Sequence, residues 1–248
     1  NEDDRRARPM WIRDRPYVER IIVKIVQDQN SSNVAFAQGL TDFESIAPDN
    51  VAWVKRGEER FDYTILDMGP SNKTNFIWFN LNPGKSADGV PYVEPYKFKW
   101  FSDKRFRQAV SHGINREGII RGVYFNRANI LHGYVSPKRK FWYNDGIRKY
   151  AYSPEASQKL FAEMGFTFEA GQLKDAAGNP IEFSLMTNSS NGLRVEMETV
   201  FKENMAELGI EVELKFLDFI TIINKTSDSF NYEACMLGMG GGAPNPYA

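Results

Sequence analysis

The sequence predicts an α/β fold, and three observations carry that reading. Ile181, Phe183 and Leu185 alternate with Glu182, Ser184 and Met186, the pattern of a strand. Leu193, Met197, Val200, Phe201 and Leu208 recur at helical spacing, and Gly209 closes that helix. Ile210, Val212, Leu214 and Phe216 then alternate with Glu211, Glu213 and Lys215 as a second, half-buried strand. Strand, helix and strand in that order form the repeating unit of an α/β domain. With 248 residues, 42% of them hydrophobic, the chain can bury the core of one large domain or two modest ones.

The other elements follow along the chain. Residues 1–17 are charged and punctuated by proline, like an opening loop. Residues 21–26 (Ile-Ile-Val-Lys-Ile-Val) read as a short buried strand, and 31–40 as a short helix. Residues 43–46 are extended, and Pro48 opens a helix through about Arg56. Strands are expected at 63–66 and 76–79, with the turn signal Gly69-Pro70-Ser71-Asn72 between them. Residues 82–97 are rich in Pro and Gly and read as a loop. Ser102 is the expected cap of a helix whose apolar face is Phe106, Ala109, Val110, Gly113 and Ile114. Asn115 stops that helix and caps the next, where Ile119, Ile120 and Val123 continue the buried side. Residues 124–150 are aromatic and basic without clear period. Ser153-Pro154-Glu155 starts a helix with Ala156, Leu160, Phe161 and Met164 inward and Gly165 as its stop. A last strand at 232–237 leads into Gly238-Met239-Gly240-Gly241-Gly242-Ala243-Pro244.

Charge and motifs narrow the function classes. Net charge is −1, yet residues 97–149 hold thirteen Lys/Arg against three Asp/Glu, and 150–248 hold six against fourteen. The basic half alone suits a nucleic-acid binder, which would bind with steep salt dependence. The balanced total favours solvated helix faces of opposite sign, and no nucleic-acid partner is expected. His112 and His132 stand twenty residues apart with no Cys or His at ligand spacing, so no metal or other cofactor is expected. Cys235, the sole cysteine, lies in an apolar strand and reads as a small hydrophobe. The glycine run lacks the Lys-Ser/Thr and following helix of a phosphate loop. It reads instead as a turn, or as a cleft-lining loop that lets a ligand approach the backbone. Asn188-Ser189-Ser190-Asn191 joins a strand to a helix, where free N–H groups either receive a polar ligand or are simply capped. Phe76 and Trp78 point to one face of their strand and Phe79 to the other. Glu196 and Glu203 share a helix with nothing to set them apart from surface acids. They supply the alternative reading, an α/β hydrolytic enzyme domain, which a cleft with two carboxylates of well-separated pKa would favour.

Six segments in order resemble one family. They are 16–29 (PYVERIIVKIVQDQ), 36–43 (FAQGLTDF), 79–82 (FNLN), 101–123 (FSDKRFRQAVSHGINREGIIRGV), 152–166 (YSPEASQKLFAEMGF) and 231–239 (NYEACMLGM). Together they resemble extracellular solute-binding proteins of family five, the peptide/nickel type of ABC importer. The segment 101–123 carries most of the likeness, through the pattern FxDxRxRxAxxxxIDRxxII. The resemblance implies a periplasmic-binding-protein-like fold (class II, large cluster C type), with two lobes closing on a ligand. This chain would hold part of lobe I (1–78) and most of lobe II (79–248), as an internal piece without the N-terminal signal or lipid anchor and the C-terminal return. The implied function is capture of an extracytoplasmic solute (a peptide, oligosaccharide or similar) in the periplasm or at the bacterial cell surface. The solute passes to the importer's permease subunits, with no chemistry and no membrane contact beyond the permease or an anchor. The implied ligand-binding residues are Phe76, Trp78 and Asn80 on the crossing strand, Asn188, and Met239, Gly240 and Gly242. Met239 replaces the pattern's Trp, Gly242 its acidic residue for a ligand amino group, and Met236 an arginine that some peptide receptors carry. Without those partners a charged peptide terminus would be costly to bury, so a neutral or sugar-like ligand is expected at least as much as a peptide.

Overall fold

The structure, a computed structural model, describes residues 18–26 and 28–240. The expected opening loop at 1–17 and the glycines beyond Gly240 lie outside the described residues. Among the described residues before residue 73 there are three helices: α1 (Gln29–Ala37), α2 (Val51–Lys55) and α3 (Glu58–Phe61). Asp28 caps α1, its Oδ1 accepting the N–H of Ser31 at 2.8 Å, so the helix begins earlier than expected. Fully buried Asn33 accepts from Ala47 N at 3.0 Å and Asn50 Nδ2 at 3.1 Å, which fastens the loop before α2 to α1.

The strands expected at 21–26 and 63–66 are irregular backbone. A strand needs a neighbour for its N–H and C=O groups, and none of the described strands pairs with either segment. Ile21, Val23 and Ile25 are therefore exposed. Tyr63 instead stacks on Phe36 of α1 (ring centroids 5.0 Å apart), and Ile65 N–H donates to Glu58 Oε1 at 2.6 Å.

From residue 73 the chain builds the α/β body. Its elements are β1 (Lys73–Phe79), α4 (Pro95–Ser102), α5 (Lys104–Gly113), α6 (Arg116–Gly122), α7 (Pro154–Glu163), β2 (Thr167–Glu169), β3 (Gln172–Lys174), β4 (Glu182–Asn188), α8 (Gly192–Glu207), β5 (Glu211–Leu217), α9 (Phe219–Ile223) and β6 (Ala234–Gly240). A π-helical turn over Asn224–Asp228 follows α9. The main sheet has the order β1-β6-β4-β5. β4 is parallel to both β5 and β6, and β1 runs antiparallel along all of β6. The lobe boundary expected at 78/79 falls inside β1.

Chain order and packing make this sheet doubly wound. From β4 the chain crosses through α8 to β5 on one side, then returns through α9 to β6 on the other. Met197, Phe201 and Met205 of α8 join Phe183, Leu185 and Val212 in the large core. Ile222 of α9 packs on the opposite face with Met186 and Cys235. The strand order reverses at β4. In open α/β sheets the crevice outside the carboxyl ends of the strands at such a reversal is where ligands bind.

The large core is aromatic. Phe79 stacks on Phe101 at 4.7 Å, and Phe106 lies 5.8 Å from both Phe101 and Phe161. The segment 101–123 is spent on holding this core. Asp103, rather than Ser102, caps α5 by accepting from Arg105 N at 2.7 Å; Ser102 is the last residue of α4. The sequence does not announce α4: Pro95 reads as loop punctuation, yet it fills the first helical position. Arg105 pairs with Asp103 at 2.7 Å, and Arg116 donates to Ser111 O at 2.8 Å. Asn115 caps α6 through Gly118 N at 2.8 Å, as expected. Ser153 and Pro154 start α7 as expected, and Ser157 Oγ ties it to Ala109 O at 2.8 Å.

Gly209 closes α8 at φ +73°, and a Cβ there would lie 2.5 Å from Phe168 Cε2 and 2.7 Å from the backbone N of Leu173. Phe168 and Leu173 belong to the β2–β3 hairpin, which the sequence reading also missed. Gly209→Ala is therefore expected to lower stability by about 1–3 kcal/mol in urea denaturation, through left-handed strain plus overpacking. An unchanged midpoint would show that the hairpin yields freely.

Candidate ligand-binding site

Outside the carboxyl ends of β4 and β6, polar groups meet from β4, α8, β1 and the turn after α6. Asn188 ends β4, and Asn191 caps α8 by accepting from Arg194 N at 3.0 Å. Arg194 stands in the first turn of α8, where the helix dipole disfavours a cation. Its side chain lies across β6 toward β1: Nε donates to Asn75 Oδ1 at 3.0 Å, and Nη1 donates to Asn188 Oδ1 at 2.5 Å. Gly238 makes room for it, since a Cβ there would sit 2.6 Å from Arg194 Nη2 and 2.5 Å from Asn75 Oδ1. Asn75 Nδ2 donates to Tyr124 Oη at 2.8 Å. Partial burial pushes the Arg194 pKa down and that of Tyr124 up, the latter opposed by the hydrogen bond with Asn75 and by the Arg194 charge.

On the other face of β1 an aromatic ledge adjoins this cluster. Phe76 lies 5.4 Å from Trp78 and 6.3 Å from Tyr134, ring centre to ring centre. Tyr134 Oη contacts Met239 Sδ at 3.3 Å, and both side chains are more than half exposed. Gly240 ends β6 in open space.

The structure thus gathers Phe76, Asn188, Met239 and Gly240 at one end of the sheet. Trp78 lies further along β1, where its Nε1 donates to Tyr232 Oη at 3.1 Å and its ring packs against the small cluster of Met186, Ile222 and Cys235. Asn80 stands at the opposite end. It is buried, and its amide donates to Phe230 O and Tyr232 O at 2.8 and 2.9 Å, which ties two loops together. Gly242 lies outside the described residues. Met236, where the family pattern can place an arginine, is buried in the large core. The sequence reading missed Arg194, Asn75 and Tyr134. A cation in the first turn of a helix, opposed by the dipole, was the available signal for Arg194.

Two other places hold ionisable groups. A cleft of about 420 Å³ opens on the face carrying Ser184, Met186, Glu213 and Lys215. Its buried charges are already matched: Lys97 pairs with Glu233 at 2.9 Å, and Glu233 also accepts from Ser184 N at 2.6 Å and Oγ at 2.9 Å. The second place is Glu198, fully buried on the sheet side of α8. Neither of its oxygens has a hydrogen-bond partner among the described residues, and burial pushes its pKa up to about 8. Glu196 and Glu203, the acids singled out from sequence, are exposed on the same helix. His112 is engaged structurally, its Nδ1 lying 2.7 Å from Ala151 O.

Comparison with known proteins decides the family. The model of the bacterial extracellular solute-binding proteins, family 5 (middle region), matches residues 5–248. The chain belongs to this family. A probable ABC transporter-binding protein of Deinococcus radiodurans is 29% identical over 92% of the chain, and the oligopeptide-binding protein AppA of Bacillus subtilis is 22% identical over 92%. The family-5 chain spans about 39% of the length of each of these relatives. The solved structure of AppA with a nonapeptide superposes with a TM-score of 0.73 at 21% identity, covering 90% of this chain and 41% of AppA. NikZ of Campylobacter jejuni with Ni(L-His) gives 0.71 at 19% identity, covering 93% and 42%. MelB of Agrobacterium fabrum with stachyose gives 0.72 at 17% identity, covering 86% and 33%. These likenesses establish a periplasmic-binding-protein fold for the α/β body.

Proposed function

We propose that this chain supplies one wall of the ligand site in the substrate-binding component of an ABC-type importer, acting in the periplasm or at the bacterial cell surface. One observation carries the reading most. An exposed aromatic ledge and an oriented polar cluster meet outside the carboxyl ends of β4 and β6, where the sheet order reverses. Family membership supports it, because the relatives are named as ABC transporter binding proteins. In this reading β1 crosses between lobes near residue 78, the residues before it belong to lobe I, and the α/β body is most of lobe II. Phe76, Tyr134 and Met239 supply apolar contact; Asn188, Asn75 and Gly240 supply polar and backbone contact. The carriers of the solute across the membrane are the permease subunits, and the chain itself does no chemistry.

A thermal-shift screen of the protein against peptide and neutral oligosaccharide pools tests this. Stabilisation by at least one pool is expected, because a ligand that binds the folded state raises its melting temperature. Phe76→Ala is expected to weaken that binding about tenfold or more, through loss of a ring at the contact. No stabilisation by any pool would count against the receptor reading, and unchanged affinity would remove Phe76 from the wall.

A further inference from the structure

We propose that the turn at residues 138–142 is a docking patch for an anionic lipid surface, which its lysines and Phe141 engage together. The basic excess of residues 97–149 is partly consumed by the fold. Lys97 pairs with Glu233, Arg105 pairs with Asp103, and Arg116 donates to Ser111 O. Another part of it is not. Between Glu117 and Asp145 the chain carries five Lys/Arg and no Asp/Glu, and Asp145 is itself paired with Lys149 at 2.8 Å. Lys138 and Lys140 are exposed, and no carboxylate pairs with either among the described residues. Phe141 stands beside them, 87% exposed, with the ring of Trp142 4.8 Å away. A lone exposed ring needs no explanation, but an exposed ring set among cations is a contact surface by composition.

The base of the turn is fixed, so its tip is presented in one arrangement. Ser136 is buried, and its Oγ donates to Ser71 O at 2.7 Å, which fastens the turn to the chain before β1. Lys138 N–H returns to Ser136 Oγ at 3.3 Å, Arg139 N–H to Ser136 O at 2.9 Å, and the N–H groups of Trp142 and Tyr143 to Arg139 O at 2.9 Å. A protein partner and a lipid surface make different demands on such a patch. Protein interfaces are depleted in lysine, whose strongly hydrated charge resists burial. The headgroup layer takes both parts at once. An aromatic ring enters the boundary of the acyl chains, while the flanking lysines keep their charge among the lipid phosphates. Each cation adds to the attraction, which fades within a Debye length of the surface. Tyr134, on the same loop, lies against Phe76 and Met239 of the candidate ligand wall. In the receptor reading, docking through the turn therefore holds that wall close to the membrane. The family resemblance implies membrane contact only through the permease or an anchor; this patch adds a contact made by the chain itself.

Vesicle flotation of the protein tests this with phosphatidylcholine alone and with phosphatidylcholine carrying about 30% phosphatidylglycerol. Binding to the anionic vesicles is expected at about millimolar lipid, and binding to the neutral ones about tenfold or more weaker. Raising the salt from about 0.05 M to about 0.5 M should remove most of that preference. Lys138→Glu combined with Lys140→Glu should weaken anionic binding about tenfold or more. Phe141→Ala, which leaves the charge unchanged, should weaken it about tenfold through loss of the inserted ring. An unchanged melting temperature shows that each variant folds. Equal binding to the two compositions, or anionic binding that survives both variants, overturns the proposal. Lipid binding untouched by the variants, with a loss only against vesicles that carry membrane protein, assigns the patch to a protein contact and overturns the lipid surface. Binding to neither composition also overturns it, and ligand stabilisation in the same protein would then leave the receptor reading standing.

Discussion

Phe106→Ala is expected to destabilise the chain by about 3–5 kcal/mol, the cost of emptying a closed aromatic site. Phe106 is fully buried where α4, α5, α7 and β1 converge. Its ring lies 5.6 Å from Phe79, 5.8 Å from Phe101 and Phe161, and 6.5 Å from Trp100. Those neighbours are large and interlocked, so they cannot collapse into the space, and the cavity term adds to the lost transfer term. The exposed Phe141 is the control, and Phe141→Ala should change stability by no more than about 0.5 kcal/mol. Urea denaturation of the two variants measures the contrast. A loss below about 1 kcal/mol for Phe106→Ala would mean that 101–123 is not the keystone of the core.

Glu198→Gln is expected to stabilise the protein at pH 8 and to flatten its pH dependence. The unfolded carboxyl titrates near its ordinary value of 4.5, and burial raises the folded one to about 8. Between those values the unfolded state has released its proton while the folded state retains it. Stability therefore falls as pH rises through this window, by at most about 1.4 kcal/mol per pH unit. Gln keeps the shape and never ionises, so the variant should gain on the order of 3 kcal/mol over the native sequence at pH 8 and little at pH 5. The neighbouring Cys235 thiol is pushed up to about 12 by burial and by Glu198, so it stays neutral across the range. Denaturant midpoints at pH 5, 6.5 and 8 decide the matter. Equal slopes for the two proteins would show that Glu198 finds a partner or solvent.

The α/β body was legible because its signals are local. Alternation in β4 and β5, the helical stripe of α8, and the caps Asn115 and Ser153 each lie within a few residues of the element they define. The family resemblance worked for the same reason: in 101–123, Asp103 and Asn115 cap, Arg105 and Arg116 tie backbone, and Phe101, Phe106 and Ala109 fill the core. What failed depended on partners. Residues 21–26 have strand composition, but no described strand pairs with them, and Tyr63 packs on α1 rather than entering a ladder. Pro95 opens a helix because Trp100 and Phe101 find a core to fill, which proline content alone does not reveal.

The candidate site was half legible by the same logic. Phe76, Met239 and Gly240 were reached through the family pattern along β1 and β6, and Asn188 through its place between a strand and a helix. Arg194 joins them only when α8 is laid against the sheet and Gly238 leaves space for its guanidinium. Asn80 has the composition of a polar contact residue, yet its amide is consumed by the carbonyls of Phe230 and Tyr232.

A crystal structure of the protein with its captured ligand locates the binding wall. Ligand density is expected outside the carboxyl ends of β4 and β6, against Phe76 and Tyr134 on one side and beside the Asn75–Arg194–Asn188 cluster on the other. Ligand seated instead in the cleft beside Lys97, Glu233 and Lys215, with the Arg194 cluster untouched, would contradict it.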